Sequence, residues 1–400
     1  MRTGVFVCGC GPNIADKIDI EKIADDVSDI ESVVLSETHG LLCSPDGKKY
    51  LENRIKENDL ERVVIAACSP REHEVTFMKV CESAGLNPFM MQMANIREQV
   101  AWVTPDGESA TRKALKLVRG AINRTTRHIP LEKTSIVCNP EVAVLGGGVA
   151  GMSAALLLAD ADRRITIIER DSSLGGNPEN EELALRLSEA VKERTEITVI
   201  TGLEPEEIVG FFGNFIIKLG EDADDLHAGS IILATGCSVD SDGRAIPADG
   251  FTKMAEMLRI STDRDGFPNR EHGSLAPVST PIDGIYVAGC AGGLCTLNDT
   301  VSRSEAVAGT ILSSLIPGRE VETEPRTSVI SETLCRGCRT CLEVCGYGAI
   351  SFNEETLVCI VNSILCKGCG NCAAACPSGA IKAQHFTPDQ IRYQMAGLLR

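Results

Sequence analysis

The sequence predicts an α/β protein: two units of alternating strands and helices, followed by a small α+β module dense in cysteine. Three observations predict it. Short apolar runs alternate with helical patterns up to about residue 135. An apolar strand at Val142 leads into a glycine loop and then a helix. Two four-cysteine runs, Cys335–Cys345 and Cys366–Cys376, repeat one spacing. With 400 residues there is length for several cores, and the divisions read as 1–135, 136–320, 321–386 and a helical tail at 387–400.

In the first unit Val5–Cys8, Val33–Leu35 and Val63–Ala67 read as strands, and Ile20–Val27, Tyr50–Lys56 and Glu74–Ala84 as helices. A basic helical segment, Ser109–Arg127, closes it. Such alternation predicts a parallel sheet with helices on its faces. Cys8 and Cys10 stand two residues apart at the end of the first strand, which predicts one shared face. Cys43 follows the second strand and Cys68 ends the third. Parallel strands present their carboxyl ends at one edge, so the four cysteines are expected to converge there. Two readings stand, a further [4Fe–4S] cluster or buried free thiols. Arg71 and His73, just past Cys68, would face such a cluster or solvent, and Cys81 reads as helical and buried.

The second unit begins with the strand Val142–Leu145. Gly146-Gly147-Gly148-Val149-Ala150-Gly151 supplies G-x-G-x-x-G, the helix Met152–Leu158 follows, and Ile165–Glu169 is a second strand ending in an acid. The order is that of a Rossmann-like dinucleotide site. Gly146 permits the tight turn, Gly148 lets a pyrophosphate approach the backbone, and Gly151 lets helix and strand pack closely. The helix start favours phosphate, and a carboxylate at Glu169, beside Arg170, suits ribose hydroxyls. FAD and NAD share this fingerprint. Ile231–Gly236, ending Ala234-Thr235-Gly236, resembles a strand end of two-dinucleotide flavoproteins, and Gly284–Gly289 resembles their second flavin-binding strand, so FAD is favoured. A second complete nucleotide loop for NAD(P)H is not visible. Asp299, Thr300 and Val301 are expected to begin a helix whose positive end would stabilise a reduced, anionic flavin. Cys290 and Cys295 flank this turn and read as packed thiols. Arg319–Pro325 is polar and reads as a linker.

Cys335, Cys338, Cys341 and Cys345 form C-x2-C-x2-C-x3-C, and Cys366, Cys369, Cys372 and Cys376 repeat it with Pro377 following. Three thiolates spaced this tightly wrap three corners of a cubane, and the fourth ligand comes from the other run. One [4Fe–4S] cluster is thus assigned to Cys335, Cys338, Cys341 and Cys376, the other to Cys366, Cys369, Cys372 and Cys345. Gly348-Ala349-Ile350 and Gly379-Ala380-Ile381 after the two runs support an internal duplication. Zinc sites use two C-x2-C pairs, a different pattern. Cys359, between the runs, reads as a packed thiol. In the tail, Thr387 suits an N-cap and Pro388 the first helical position, and the helix either packs back or docks a partner.

Eighteen cysteines in a long chain with metal-ligand spacings point to metal-bound thiolates in a reducing cytoplasm. No apolar run approaches the roughly 18 to 20 residues of a membrane span. The net charge of −17 argues against nucleic acid, whose binding needs clustered Lys and Arg. Residues 321–400 hold as many acids as bases, so the excess lies before them.

Taken whole, the chain resembles the A-type chains of heterodisulfide reductases (HdrA) and the related HdrA-like flavin/iron–sulfur proteins. The resemblance runs through Val5-Phe6-Val7-Cys8-Gly9-Cys10-Gly11, Ala66-Ala67-Cys68-Ser69-Pro70-Arg71-Glu72-His73-Glu74, Ala94-Asn95-Ile96-Arg97-Glu98-Gln99, the glycine loop, Asp299-Thr300-Val301 and the terminal module. It implies FAD in a thioredoxin-reductase-like domain, several [4Fe–4S] clusters, and assembly with other redox subunits: heterodisulfide reductase B- or C-like chains, a hydrogenase- or formate-dehydrogenase-linked chain, or a ferredoxin. Some members bifurcate electrons. This sequence departs from the family pattern in three places. Gly213–Gly236 contains no inserted ferredoxin module, Gly236–Ala276 no second cysteine-rich half, and Leu294-Cys295-Thr296-Leu297-Asn298-Asp299 stands where Pro-Lys-Asp-Ile-Pro-Asp is usual. Bifurcation by the chain alone is therefore not expected, nor is reduction of a disulfide substrate, since no Cys-Cys-Gly tandem is present. The expected role is an electron-transfer component of a multi-subunit oxidoreductase. The competing roles are an adaptor that only holds the cysteine module against partner enzymes, and an independent NAD(P)H-dependent reductase, which the missing second nucleotide loop disfavours.

Overall fold

A computed structural model describes residues 1–133, 135–176, 181–220, 223–323 and 325–399. The chain forms two compact units. One comprises Met1–Glu132, Pro325–Val329 and Lys382–Arg400; the other comprises Lys133–Glu324 and Ile330–Ile381. These units regroup the four linear segments, and the tail falls with the amino-terminal one.

In the first unit, β1 (Thr3–Cys8), β2 (Val33–His39), β3 (Arg62–Ala67) and β4 (Met91–Asn95) form a parallel sheet ordered β2-β1-β3-β4. The intervening helices are α1 (Ile20–Ser28), α2 (Pro45–Glu57) and α3 (Pro70–Ser83), and α4 (Gly107–Thr125) follows. All of β1 is buried, as an apolar strand covered on both faces must be. Its side chains alternate: Val5 and Val7 enter a core with Ile23, Val64 and Val118, while Phe6 and Cys8 enter another with Leu51, Ile65 and Phe77. β4 had no reading from sequence, because Met-Gln-Met-Ala-Asn lacks β-branched residues.

The tail forms α11 (Pro388–Leu398), with Thr387 and Gln390 making a capping box. It packs on α4. An added Cβ at Gly397 would lie 2.6 Å from the Arg119 carbonyl oxygen, and one at Gly120 would lie 3.1 Å from Leu398. The two helices approach so closely that side chains there would collide. Gln390 donates to the Arg127 carbonyl at 3.1 Å, and the Arg127 guanidinium lies 3.8 Å from the Tyr393 ring centroid.

The second unit holds β5 (Ser135–Val137), β6 (Val142–Leu145), α5 (Val149–Ala159), β7 (Ile165–Glu169), α6 (Glu181–Lys192) and β8 (Ile197–Thr201). An antiparallel sheet of β9 (Glu207–Phe211), β10 (Asn214–Lys218) and β11 (Leu226–Ala228) follows, then β12 (Ser230–Leu233), the hairpin β13 (Cys237–Val239) and β14 (Ala245–Pro247), α7 (Phe251–Met257), β15 (Ile285–Val287) and α8 (Leu297–Ser314). The central parallel sheet is ordered β15-β12-β6-β7-β8. Val142, Val144, Ile167 and Ile232 face α5, α6 and α8 on one side; Ala143, Leu145, Ile231 and Leu233 face β9–β11 and α7 on the other. Register pairs Leu145 with Ile168 and Leu233, and Leu233 with Val287, so the loops after these strands emerge side by side.

One expectation is corrected. Within Arg319–Pro325, read as a linker, Glu320–Glu322 is a strand, β16, paired antiparallel with β5. β5 and β16 form a two-stranded sheet of their own, each three-residue segment supplying the other's backbone partners. The cysteine module then contributes β17 (Ser328–Ile330), α9 (Thr340–Glu343), the hairpin β18 (Ile350–Asn353) and β19 (Val358–Val361), α10 (Asn371–Ala375) and β20 (Ile381–Ala383). Among the described residues no helix is long and apolar enough to cross a membrane.

Candidate functional site

The glycine loop fits its expected physics. Gly146 has φ +115° and an added Cβ would lie 2.4 Å from the Ala234 carbonyl oxygen, so only glycine makes this turn. A Cβ on Gly151 would lie 2.0 Å from the Gly146 oxygen, the close approach of helix to strand. At Gly148 the nearest atoms to an added Cβ are 3.9 Å away, which leaves the backbone open to a phosphate. Gly148 caps α5 with no side chain, and Val149 and Ala150 form the helix's first turn, so their N–H groups suit an anion. Glu169 is buried and holds the loop: it accepts from the Gly147 N–H at 2.6 Å and the Asp171 N–H at 2.9 Å. A carboxylate has acceptor capacity beyond these two bonds, which keeps it available to ribose hydroxyls.

Ala234, Thr235 and Gly236 leave β12 beside this loop, and Gly289 leaves β15. The Thr235 Oγ1 is buried without a partner among the described residues. Such a hydroxyl is costly unless a bound molecule answers it, and the donor set fits a dinucleotide there. Thr300 lies on α8 and its hydroxyl donates to the Thr296 carbonyl at 3.0 Å; Val301 is next. The helix starts at Leu297, earlier than read from sequence, because Thr296 and Asp299 form a capping box. The Asp299 carboxylate therefore serves its own helix, accepting from the Thr296 N–H at 3.1 Å. The Arg170 guanidinium is turned to the Asp249 carbonyl at 2.9 Å.

In the cysteine module the duplication is visible in the backbone. Gly337 and Arg339 have φ +63° and +61°; their counterparts Gly368 and Gly370 have +64° and +81°. Each pair turns its loop through left-handed backbone, and α9 and α10 then carry the third cysteine of each run. Cys335, Cys338, Cys341 and Cys376 line one cavity with Ile330, Pro377 and Ile381. The cross-run set is thus brought together. Cys345, with Cys372 in the same core, accepts from the Ala349 N–H at 3.3 Å. Among the described residues no three His, Cys, Asp or Glu converge on a single ion position. A cubane does not require that, since its thiolates bind separate irons.

Burial pushes the Cys376 thiol up, but hydrogen bonds from the Ser378 hydroxyl and the N–H groups of Ile381, Ala380 and Ser378 outweigh it and hold the thiol low. Thr340 does the same for Cys338. Burial, and then its neighbour Cys359, push Cys341 up to about 12. Cys359 is buried and lines the same cavity, a fifth cysteine that its spacing did not announce.

At the carboxyl edge of the first unit's sheet, Cys8, Cys10, Cys43 and Cys68 pack in one cluster. Cys10 does not continue β1 as strand alternation predicts: the strand ends at Cys8, and Cys10 turns in with φ +49°. Leu42 N–H lies 3.5 Å from the Cys8 sulfur. Burial pushes Cys68 up to about 11, against the pull of the Arg97 guanidinium. Arg97 itself donates to Cys10 at 3.4 Å. It is the cation at this edge that sequence reasoning missed; Arg71 is exposed on α3 and His73 packs edge-on against Phe77 of the same helix. The signal was its place just beyond a strand end, hidden because β4 was not read.

The chain matches the pyridine nucleotide-disulphide oxidoreductase family over residues 54–302 and a 4Fe-4S dicluster domain over residues 334–386. It is 41% identical over 232 residues to the A chain of the ferredoxin:CoB-CoM heterodisulfide reductase of Methanosarcina mazei, covering 55% of this chain and 29% of that one. To the A chain of the ferredoxin/F(420)H(2)-dependent CoB-CoM heterodisulfide reductase of Methanosarcina acetivorans it is 38% identical over 275 residues, 64% of this chain and 35% of that one. To an HdrA-like protein of Archaeoglobus profundus it is 35% identical over 253 residues, 60% of this chain and 36% of that one. The chain thus spans roughly a third of the length of these relatives. Among solved structures, T. acidophilum thioredoxin reductase aligns with a TM-score of 0.34 at 14% identity, over 44% of this chain and 98% of that one.

Proposed function

Since the chain belongs to the pyridine nucleotide-disulphide oxidoreductase family and carries a 4Fe-4S dicluster domain, we propose that it is an electron-transfer component of a multi-subunit oxidoreductase. The observation that carries this is one cavity lined by cysteines of both runs, in a chain that also has a dinucleotide loop. FAD would rest its pyrophosphate on Gly148, Val149 and Ala150, its ribose on Glu169, and its flavin end near Thr235, Gly236, Gly289 and Thr300. Bound there, FAD supplies a group that exchanges one or two electrons, where each cluster handles one. The chain's own residues do the rest. The hydrogen bonds to Cys376 and Cys338 stabilise thiolate charge, and Cys341 is buried at the inner side of the cavity's cysteine set.

We assign Cys8, Cys10, Cys43 and Cys68 to a further [4Fe–4S] cluster, supported by their shared packing and by Arg97. For its partners we propose redox subunits: heterodisulfide reductase B- or C-like chains, a hydrogenase- or formate-dehydrogenase-linked chain, or a ferredoxin. The compartment is the reducing cytoplasm.

The test is anaerobic purification of the native complex with flavin and iron determination. Flavin together with iron for three clusters is expected; an iron-loaded protein without flavin would defeat the flavin part. A Gly148→Asp variant puts a carboxylate where the phosphate belongs, so flavin and electron transfer should fall together. Unchanged transfer in that variant would favour the adaptor role.

A further inference from the structure

Three cysteines outside every cluster assignment come together beside the nucleotide loop. The Cys290 and Cys295 sulfurs are 2.8 Å apart, and Cys237 is a side-chain hydrogen-bond neighbour of Cys290. All three are half-buried. Each adjoins a residue of the flavin seat. Cys237 follows Gly236, Cys290 follows Gly289, and the Cys295 sulfur lies 3.3 Å from the Thr300 hydroxyl. The loop between the pair is built to double back: Gly289 and Gly293 have φ +58° and +110°, and a short 3-10 turn spans Gly289–Gly292. Two arginines hold it in place. Arg303 donates to the Gly289 carbonyl at 2.9 Å and the Gly293 carbonyl at 3.3 Å, and Arg270 donates to the Gly292 carbonyl.

We propose that Cys290 and Cys295 are a redox-active pair that opens and closes as a disulfide in exchange with the flavin. Closing breaks two S–H bonds and forms one S–S bond. Two electrons and one proton reduce an oxidised flavin, and the second proton leaves to solvent; reopening reverses each transfer. The sulfurs already touch, so closure needs only a small displacement of a glycine-flanked loop. Burial, followed by the neighbouring thiols, raises the Cys237 and Cys295 thiols above their ordinary range, while the Arg303 charge opposes this at Cys295. The pair itself stands on these contacts; its exchange with flavin rests on the cofactor reading above.

The test equilibrates the full chain anaerobically across a series of reduced-to-oxidised dithiothreitol ratios. The samples are then acid-quenched, alkylated and digested with trypsin. The peptide Glu271–Arg303 holds both cysteines and no internal Lys or Arg. It is expected to pass from doubly alkylated to unlabelled, two hydrogens lighter, in one two-electron step. Cys237→Ser should keep that step and Cys295→Ser should lose it. Two labels at every ratio, or loss of the step in Cys237→Ser, overturns the pair. In flavin-loaded protein, reductive titration should take up two electrons more per chain than Cys295→Ser, and equal uptake overturns the exchange with flavin. Since the alkylation arm needs no flavin, absence of the cofactor and absence of the pair give different results.

Discussion

The two cysteine regions gather their sulfurs by opposite means. In the terminal module the loops do it locally: Gly337, Arg339, Gly368 and Gly370 take left-handed conformations within the two runs, and only Cys376 joins Cys335, Cys338 and Cys341 from the other run. In the amino-terminal unit no two of Cys8, Cys43 and Cys68 share a loop; they meet because three parallel strands end at one edge. A spacing motif survives without its surroundings. A site built by the sheet is only as stable as the sheet.

The largest effects follow from removing a sulfur. Cys341→Ala should cost about four irons per chain and leave any amino-terminal signal intact, since its cavity draws only on residues 330–381. Cys43→Ala should do the reverse. Iron assay with electron paramagnetic resonance reads both, and terminal-module signals lost in the Cys43 variant would break the comparison.

Packing tests it next. Gly397→Val drives a side chain into the α4 backbone near Arg119, and should destabilise the first unit by about 3 kcal/mol in urea unfolding. Amino-terminal iron should become labile in step, and terminal iron should not.

Acid gives a smaller effect in the same unit. Burial, then the neighbouring His385 and Arg124, hold the His128 pKa down to about 3, against 6.5 ordinarily. Between those values the unfolded chain takes a proton that the folded chain refuses, so stability is full above 6.5 and falls as pH falls. From about pH 7 to about pH 5 the loss should be about 2 kcal/mol, and His128→Phe should flatten it.

The smallest effect belongs to Cys359→Ser, which should keep the iron count and move only the reduction potential of the adjoining cluster, read by redox titration. Loss of iron would make Cys359 a ligand, and the terminal module less local than its loops imply.

Legibility in the sequence follows the same division. Gly146, Gly148 and Gly151 could be given their roles from the order of residues because strand, glycine loop, helix and acid-ended strand follow one another along the chain. So could the eight module cysteines and the Thr387 cap. The approach of Arg97 to Cys10, Cys359 facing Cys341, and the meeting of Cys237 with Cys290 all join residues that only tertiary packing makes adjacent. β4 was missed for a local reason, since its residues have weak strand preference and it forms by pairing with β3. The cap that Asp299 makes with Thr296 was hidden because an acid at a helix start reads as readily as a ligand.

The close seating of α11 on α4 has a consequence for biosynthesis. The groove at Gly120 is made early in translation, but the helix that fills it is encoded more than two hundred and fifty residues later. Until the ribosome has delivered α11, the furrow along α4 at Gly120 stands open. Chaperone occupancy of nascent chains should therefore persist until α11 has emerged, where a unit folding from its own amino-terminal segment would be released early.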